Sequence, residues 1–133
     1  LSEMGAEIRV HDPYVEQWWE FTNQEEYPQV GRSVFFRNQK KLKDLEVKKD
    51  LKEALKGILA LVIAVRHEAY LDLDPDEVIR IVGKPIAVID CFGVLDDLKI
   101  KRYLELGCEV KGLGRGHIRR IKESVKRTWE ERD

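Results

Sequence analysis

Asp90, Cys91, Phe92 and Gly93 follow the apolar run "PIAVI", so a carboxylate, a thiol, an aromatic ring and a glycine meet where a buried strand would emerge into solvent. A thiol there invites nucleophilic catalysis, which requires thiolate and therefore a base or an electropositive niche. The neighbouring Asp90 carboxylate works against that anion, and His67 or His11 would have to reach Cys91 across a sheet. The simpler reading of Cys91 is a small, half-buried filler. Cys108, at the start of a later strand, lies at the wrong edge for chemistry and reads as packing. His67, just beyond another apolar run, could serve as an acid or base, but a histidine at a strand end is more often a hydrogen-bonded anchor.

A second cluster is Gly112-Leu113-Gly114-Arg115-Gly116-His117, which leaves a strand and enters a helix. That context imitates a dinucleotide fingerprint, in which three glycines bring a turn close to a pyrophosphate at a helix N-terminus. His117 stands where the third glycine belongs, and too few residues follow Gly116 to supply a strand with a ribose-binding acid. Two other readings stay open: a turn that lets the backbone approach a neighbour, or amides that meet an anion together with Arg115. Asp96 and Asp97 most simply cap the helix after them. Three histidines far apart and two cysteines give neither a zinc spacing nor a disulfide framework, which fits a reducing cytosol.

Strands and helices in alternation must position these groups. "LSEMG" reads as a last helical turn closed by Gly5, so the sequence is expected to start inside an element, as a piece of something longer. "AEIRV" and "LEV" read as strands. Asp50 with Glu53 makes a capping-box arrangement that opens a helix bearing Leu51, Ala54, Leu55 and Ile58 on one face. "LALVIAV" is too apolar for a strand with one wet face and predicts cover on both sides, as in a parallel sheet. Asp74-Pro75-Asp76-Glu77 starts a helix that stops near Gly83. "PIAVID" is the next strand, "DDLKIKRYLEL" a helix ended by Gly107, and "CEVKG" the last strand. Ile118, Ile121, Val125 and Trp129 form the stripe of a terminal helix. The junctions "MGAEIRV" and "LGCEVKG" echo one another in residue order, which supports one repeated α/β rhythm. Such a rhythm calls for right-handed crossovers and an open parallel sheet. Sites then lie beyond the carboxyl ends of the strands, here His11 to Tyr14, Arg66-His67, Asp90 to Gly93 and Gly112 to Gly116.

With 133 residues the chain is read as one domain, residues 1–133, with a single core. Its 24 basic and 25 acidic residues nearly cancel, so no large field draws it to nucleic acid or an anionic membrane. The longest apolar run, "ILALVIAV", falls far short of the ~20 residues of a spanning helix. The expectation is therefore a cytoplasmic protein with neither nucleic-acid nor membrane partners. Residues 15–44 interrupt the rhythm with "WWEF", Tyr27-Pro28 and "VFF". A segment that long without a strand or helix pattern is uncommon unless it is functional or folds on its own. Self-packing of its aromatics is the simpler reading, and a partner surface is the other.

In order and spacing, "GAEIRVHDPYV", "LALVIAVRHEAY", "KPIAVIDCFGVLD" and "GCEVKGLGRG" resemble the C-terminal, UDP-binding domain of the nucleotide-sugar 6-dehydrogenases. The branch most similar is the UDP-N-acetylmannosamine dehydrogenases. The resemblance implies a Rossmann-like three-layer α/β domain with a mostly parallel sheet, whose first strand is absent from this sequence. It also implies a homodimeric enzyme in which NAD is bound outside these residues, a central helical region makes the dimer contact, and this domain holds the UDP part of a UDP-sugar. The family oxidises a primary alcohol to a carboxylate in two hydride transfers, through a thiohemiacetal on a cysteine upstream of this domain. Cys91 is then not the nucleophile, no catalytic residue lies in the chain, and the chain alone is expected to be inactive.

By the same resemblance, the nucleotide-sugar contacts fall on Asp90, Phe92, Gly93, His67 and Arg115. Three departures stand out. Where the family has Asp-Gly-Arg or Asp-Thr-Arg, this chain has Asp90-Cys91-Phe92, and a phenyl ring cannot make the paired hydrogen bonds that a guanidinium makes to phosphate. Val65 replaces a threonine, with Arg66 inserted before His67. A different reading is a non-catalytic interaction or regulatory module that kept the scaffold.

Overall fold

The computed structural model describes residues 1–15 and 45–133. The aromatic insert expected over 15–44 therefore lies, Val15 apart, outside the described residues. Two compact units are present, Leu1–Ala54 and Leu55–Asp133.

In the first unit, Ser2–Met4 form a 3-10 turn that Gly5 closes at φ 87°, the glycine-ended turn read from the sequence. Strand β1 (Val10–His11) pairs in parallel with β2 (Val47–Lys48), Val10 opposite Val47 and His11 opposite Lys48. Only the end of the expected "AEIRV" strand is therefore strand. Its partner is two residues long before the chain turns into helix α1 (Leu51–Leu55). Asp50 Oδ1 accepts the Lys52 N–H at 2.9 Å, which opens that helix. The helix stops short of Ile58, because Gly57 adopts φ 67°.

The second unit runs β3 (Ala60–Ile63), α2 (Glu68–Leu71), α3 (Pro75–Val82), β4 (Ala87–Asp90), α4 (Asp97–Glu105), β5 (Glu109–Gly112) and α5 (His117–Glu130). Its strands form one parallel sheet in the order β3-β4-β5. Ala60, Ala87 and Glu109 stand abreast at one end, and Ile63, Asp90 and Gly112 at the other. This is the α/β, parallel-stranded fold the alternation predicts, and the Rossmann-like one the resemblance implies.

Local chemistry sets the helix ends. Asp74 Oδ1 accepts the Asp76 N–H at 3.1 Å, Pro75 occupies the first turn, where a missing N–H breaks no intrahelical bond, and Gly83 terminates α3 at φ 85°. Asp96 caps α4 through Lys99 N–H at 2.8 Å. Helix α2 was not foreseen; His67 Nδ1 opens it by accepting the Ala69 N–H at 3.1 Å.

The core lies where α4 packs against α3, α5 and β5. Val78, Val88, Ile100 and Tyr103 are wholly buried, with Val110, Ile118 and Val125 beside them. Each such aliphatic side chain contributes about 1.5–3 kcal/mol relative to exposure. Strand β3 departs from expectation. Ile63 is buried, but Ala60 is exposed and Val62 is 43% exposed. An apolar run signals low polarity, not which side is covered, and among the described residues β3 is an edge strand. Among those residues, no helix is long and apolar enough to cross a membrane.

Candidate functional site

The parallel register brings the carboxyl ends of β3, β4 and β5 into one row, and the turns that leave them carry four of the five residues read as ligand contacts; His67 opens the helix beyond β3. Asp90 ends β4 and is 1% exposed. Its Oδ1 accepts the N–H groups of Phe92 and Val94, each at 3.1 Å. Its Oδ2 accepts the Leu95 N–H at 2.9 Å and Arg115 Nη1 at 3.0 Å. Burial pushes this carboxyl up, but the amides of Leu95, Val94 and Phe92 and the charge of Arg115 outweigh that and hold it below the ordinary carboxylate value. One acid thus shapes the whole turn from β4 towards α4.

Arg115 reaches this carboxylate from the glycine-rich loop after β5. Its Nη1 also donates to the Leu95 carbonyl at 2.6 Å, and its Nη2 lies 3.8 Å from Asp97 Oδ1. Asp97 Oδ1 accepts a hydrogen bond from His117 Nε2 at 2.9 Å, which ties the start of α4 to the start of α5. Gly112 makes this crossing possible. A Cβ there would meet Arg115 Cδ and Ile118 Cδ1 at 3.0 Å each, tighter than most real Cβ contacts, so those side chains would have to give way. Gly93 has a different reason to be glycine, its φ of 65°.

The structure therefore brings Asp90, Gly93 and Arg115 together. Phe92 belongs to the same turn, with its residue 58% exposed, and Leu113 beyond β5 is 73% exposed. The Leu113 N–H donates to the Asp90 carbonyl at 3.3 Å. His67 is held by its own helix start, its ring 5.6 Å from that of Tyr70 in an edge-on arrangement. Cys91 is half-buried and donates its N–H to the Ile63 carbonyl at 3.0 Å. Burial pushes the Cys108 thiol up, as suits a packed rather than reactive sulfur. In the first unit, Asp12 Oδ1 accepts the N–H groups of Tyr14 at 2.8 Å and Val15 at 3.1 Å, so "HDPYV" is a tight side-chain-closed turn.

Sequence reasoning missed the Asp90–Arg115 pair. Its one available signal was the glycine at a strand end, which admits a long side chain across the backbone. The loop from Gly112 to His117 departs from the dinucleotide fingerprint at His117, which stands where the third glycine belongs, and the Arg115 side chain lies against the first glycine. Among the described residues, no group of three or more His, Cys, Asp or Glu could hold a metal ion. What this rim can do is present rigid turns, an aromatic ring and backbone groups to a ligand.

Residues 1–97 match a family model described as the UDP-glucose/GDP-mannose dehydrogenase family, UDP binding domain. No curated protein and no solved structure matches the chain.

Proposed function

The chain belongs to the UDP-glucose/GDP-mannose dehydrogenase family through its UDP-binding domain, and from that premise we propose that it is the nucleotide-sugar-holding part of an NAD-dependent UDP-sugar 6-dehydrogenase. The substrate proposed is a UDP-N-acetylmannosamine-type sugar, oxidised to the uronate as a polysaccharide precursor. The observation that carries this reading is the family match over residues 1–97, which includes the whole Asp90–Gly93 turn.

In this reading, residues 1–133 act as one UDP-binding domain of a cytoplasmic homodimer. NAD supplies the hydride acceptor and is bound outside these residues. The residues here bind and orient. Asp90 fixes the turn, Gly93 provides its positive φ, and Phe92, His67 and Arg115 face the nucleotide-sugar side. The chain alone is expected to reduce no NAD with any UDP-sugar.

One observation favours the second reading, a non-catalytic interaction module. The Arg115 guanidinium closes on Asp90 and the Leu95 carbonyl, and Phe92 stands in place of a cation. A charge-assisted contact contributes roughly 1.5–3 kcal/mol, about tenfold to hundredfold in affinity. Isothermal titration with UDP is therefore expected to show weak binding by the chain and tightening of that order in Phe92→Arg. A folded Phe92→Arg chain that binds UDP no better would overturn the nucleotide reading and leave the interaction module.

A further inference from the structure

Of the two acids expected to cap α4, only Asp96 does so. Asp97 has no such duty, and its side chain is 68% exposed. One of its oxygens, Oδ1, accepts from His117 Nε2 at 2.9 Å, while Oδ2 makes no hydrogen bond among the described residues. Arg115, beside it, is half used. Its Nη1 spends both hydrogens, on Asp90 Oδ2 at 3.0 Å and on the Leu95 carbonyl at 2.6 Å. Its Nε and Nη2 make no hydrogen bond among the described residues, since Asp97 Oδ1 stands 3.8 Å from Nη2.

A guanidinium anchored through one nitrogen and unengaged along its Nε–Nη2 edge is a donor fixed in place. Ionised Asp97 can only accept. The two stand too far apart to satisfy each other, yet near enough for a single group to bridge them if it both accepts and donates. A hydroxyl does both. A phosphate oxygen only accepts, and Asp97 would repel its charge. Asp90, against the other side of the guanidinium, already balances that cation, so this corner carries no spare positive charge for a diphosphate.

We propose that Asp97 and the outer edge of Arg115 form a subsite for sugar hydroxyls, which takes the uncharged hexose part of a nucleotide sugar and not its phosphates. This rests on the nucleotide-sugar reading above and adds which part of the ligand the corner holds. Two neighbouring hydroxyls suit it: one donates to Asp97 Oδ2, and the other accepts from the Nε–Nη2 edge. His117 keeps the carboxylate in place through Oδ1. The turn after β4 lies against the same guanidinium, for a Cβ added at Gly93 would come 4.0 Å from Arg115 Nη1. Phe92 in that turn is 58% exposed, an aromatic ring of the kind on which the C–H face of a hexose packs. A site that hydrogen-bonds hydroxyls discriminates strongly, because a ligand without them leaves its polar groups unpaired.

NMR titration of the full chain with UDP and with UDP-N-acetylmannosamine tests this. The sugar nucleotide is expected to bind about tenfold tighter than UDP. Asp97→Ala should bring it down to the UDP level while UDP itself stays within about twofold. Asp97→Asn, which keeps an oxygen for His117 but weakens the acceptor, should lose part of the advantage, and it decides the matter if the alanine variant does not fold. Equal binding of the two ligands by the wild type, or an advantage that survives these substitutions in full, would overturn the subsite and leave the nucleotide reading standing. So would a gain of about tenfold for UDP in Asp97→Ala, which would place phosphate at this corner. Equal losses for both ligands would overturn it too, by assigning Asp97 to shape alone. A wild-type chain that binds neither ligand would overturn the nucleotide reading and this inference with it.

Discussion

Two aspartate–arginine pairs in the second unit use the same chemistry in opposite settings. Arg102 grips Asp76 in a two-pronged bond, with Nε at 2.8 Å and Nη2 at 2.5 Å, yet the two side chains are 45% and 48% exposed. Arg115 touches Asp90 with one nitrogen at 3.0 Å, but those side chains are 16% and 1% exposed. Judged by geometry alone, the surface pair is the better one. Its hydrogen bond from Arg102 lowers the Asp76 carboxyl, and its partner is raised in turn. In water, however, two long side chains lose freedom to hold that arrangement and the solvent screens the gain. Asp90 instead closes three backbone amides and a guanidinium around a carboxylate with almost no access to solvent. Removing either partner would leave groups that cannot find water. The lesson is that the stability contributed by a pair follows what is left unsatisfied without it.

The sharpest way to break this comparison is Asp90→Ala. It strands Arg115 and three turn amides, and an expected loss of about 3–5 kcal/mol would appear in urea unfolding. A loss below about 1 kcal/mol would show that the turn holds its shape without the acid. The pH dependence carries the same information. The folded Asp90 carboxyl lies below its usual 3.8, so its contribution is complete above that value and drains as pH falls through the lower, folded one. The gap in Tm between wild type and Asp90→Asn should therefore hold steady near neutrality and narrow in acid. A constant gap down to about pH 2 would assign the acid sensitivity elsewhere.

Tyr103 sharpens the rule from the other side. Its hydroxyl is buried and makes no hydrogen bond among the described residues, and burial, with Cys108 and Asp74 near, pushes the phenol up. Removing an unsatisfied polar atom should help rather than harm, so Tyr103→Phe is expected to raise stability by up to about 1 kcal/mol. A clear loss would reveal a partner for that oxygen. The smallest effect is expected at the surface pair. Arg102→Ala should lower Tm by about 3 °C or less and less still in high salt, and a fall as large as that of Asp90→Ala would end the distinction.

Much of the fold was legible because its signals are local. Asp74-Pro75 and Gly83 frame α3, Asp96 and Gly107 frame α4, and the stripe from Ile118 to Trp129 marks α5, each within a few residues of the bond it controls. Other features were not. "LALVIAV" promised a strand covered on both faces, but an apolar run cannot say whether a neighbour stands beside it. The "AEIRV" strand shrank to its end because its partner did. At the candidate site, Asp90, Gly93 and Arg115 were each singled out, but as separate contacts to a ligand.

The sequence by itself determined the alternation of strands and helices, the places where α3 and α4 begin and end, and the family to which the chain belongs, since these depend on neighbours within a turn or on residue order alone. Only the tertiary structure decided that Arg115 folds back over Gly112 onto Asp90, that Asp90 is sealed from solvent, and that β3 lies at an edge among the described residues. Those outcomes join residues far apart in the chain, and they follow from strand order and register, which bring the ends of β4 and β5 side by side and, among the described residues, leave β3 with one neighbour.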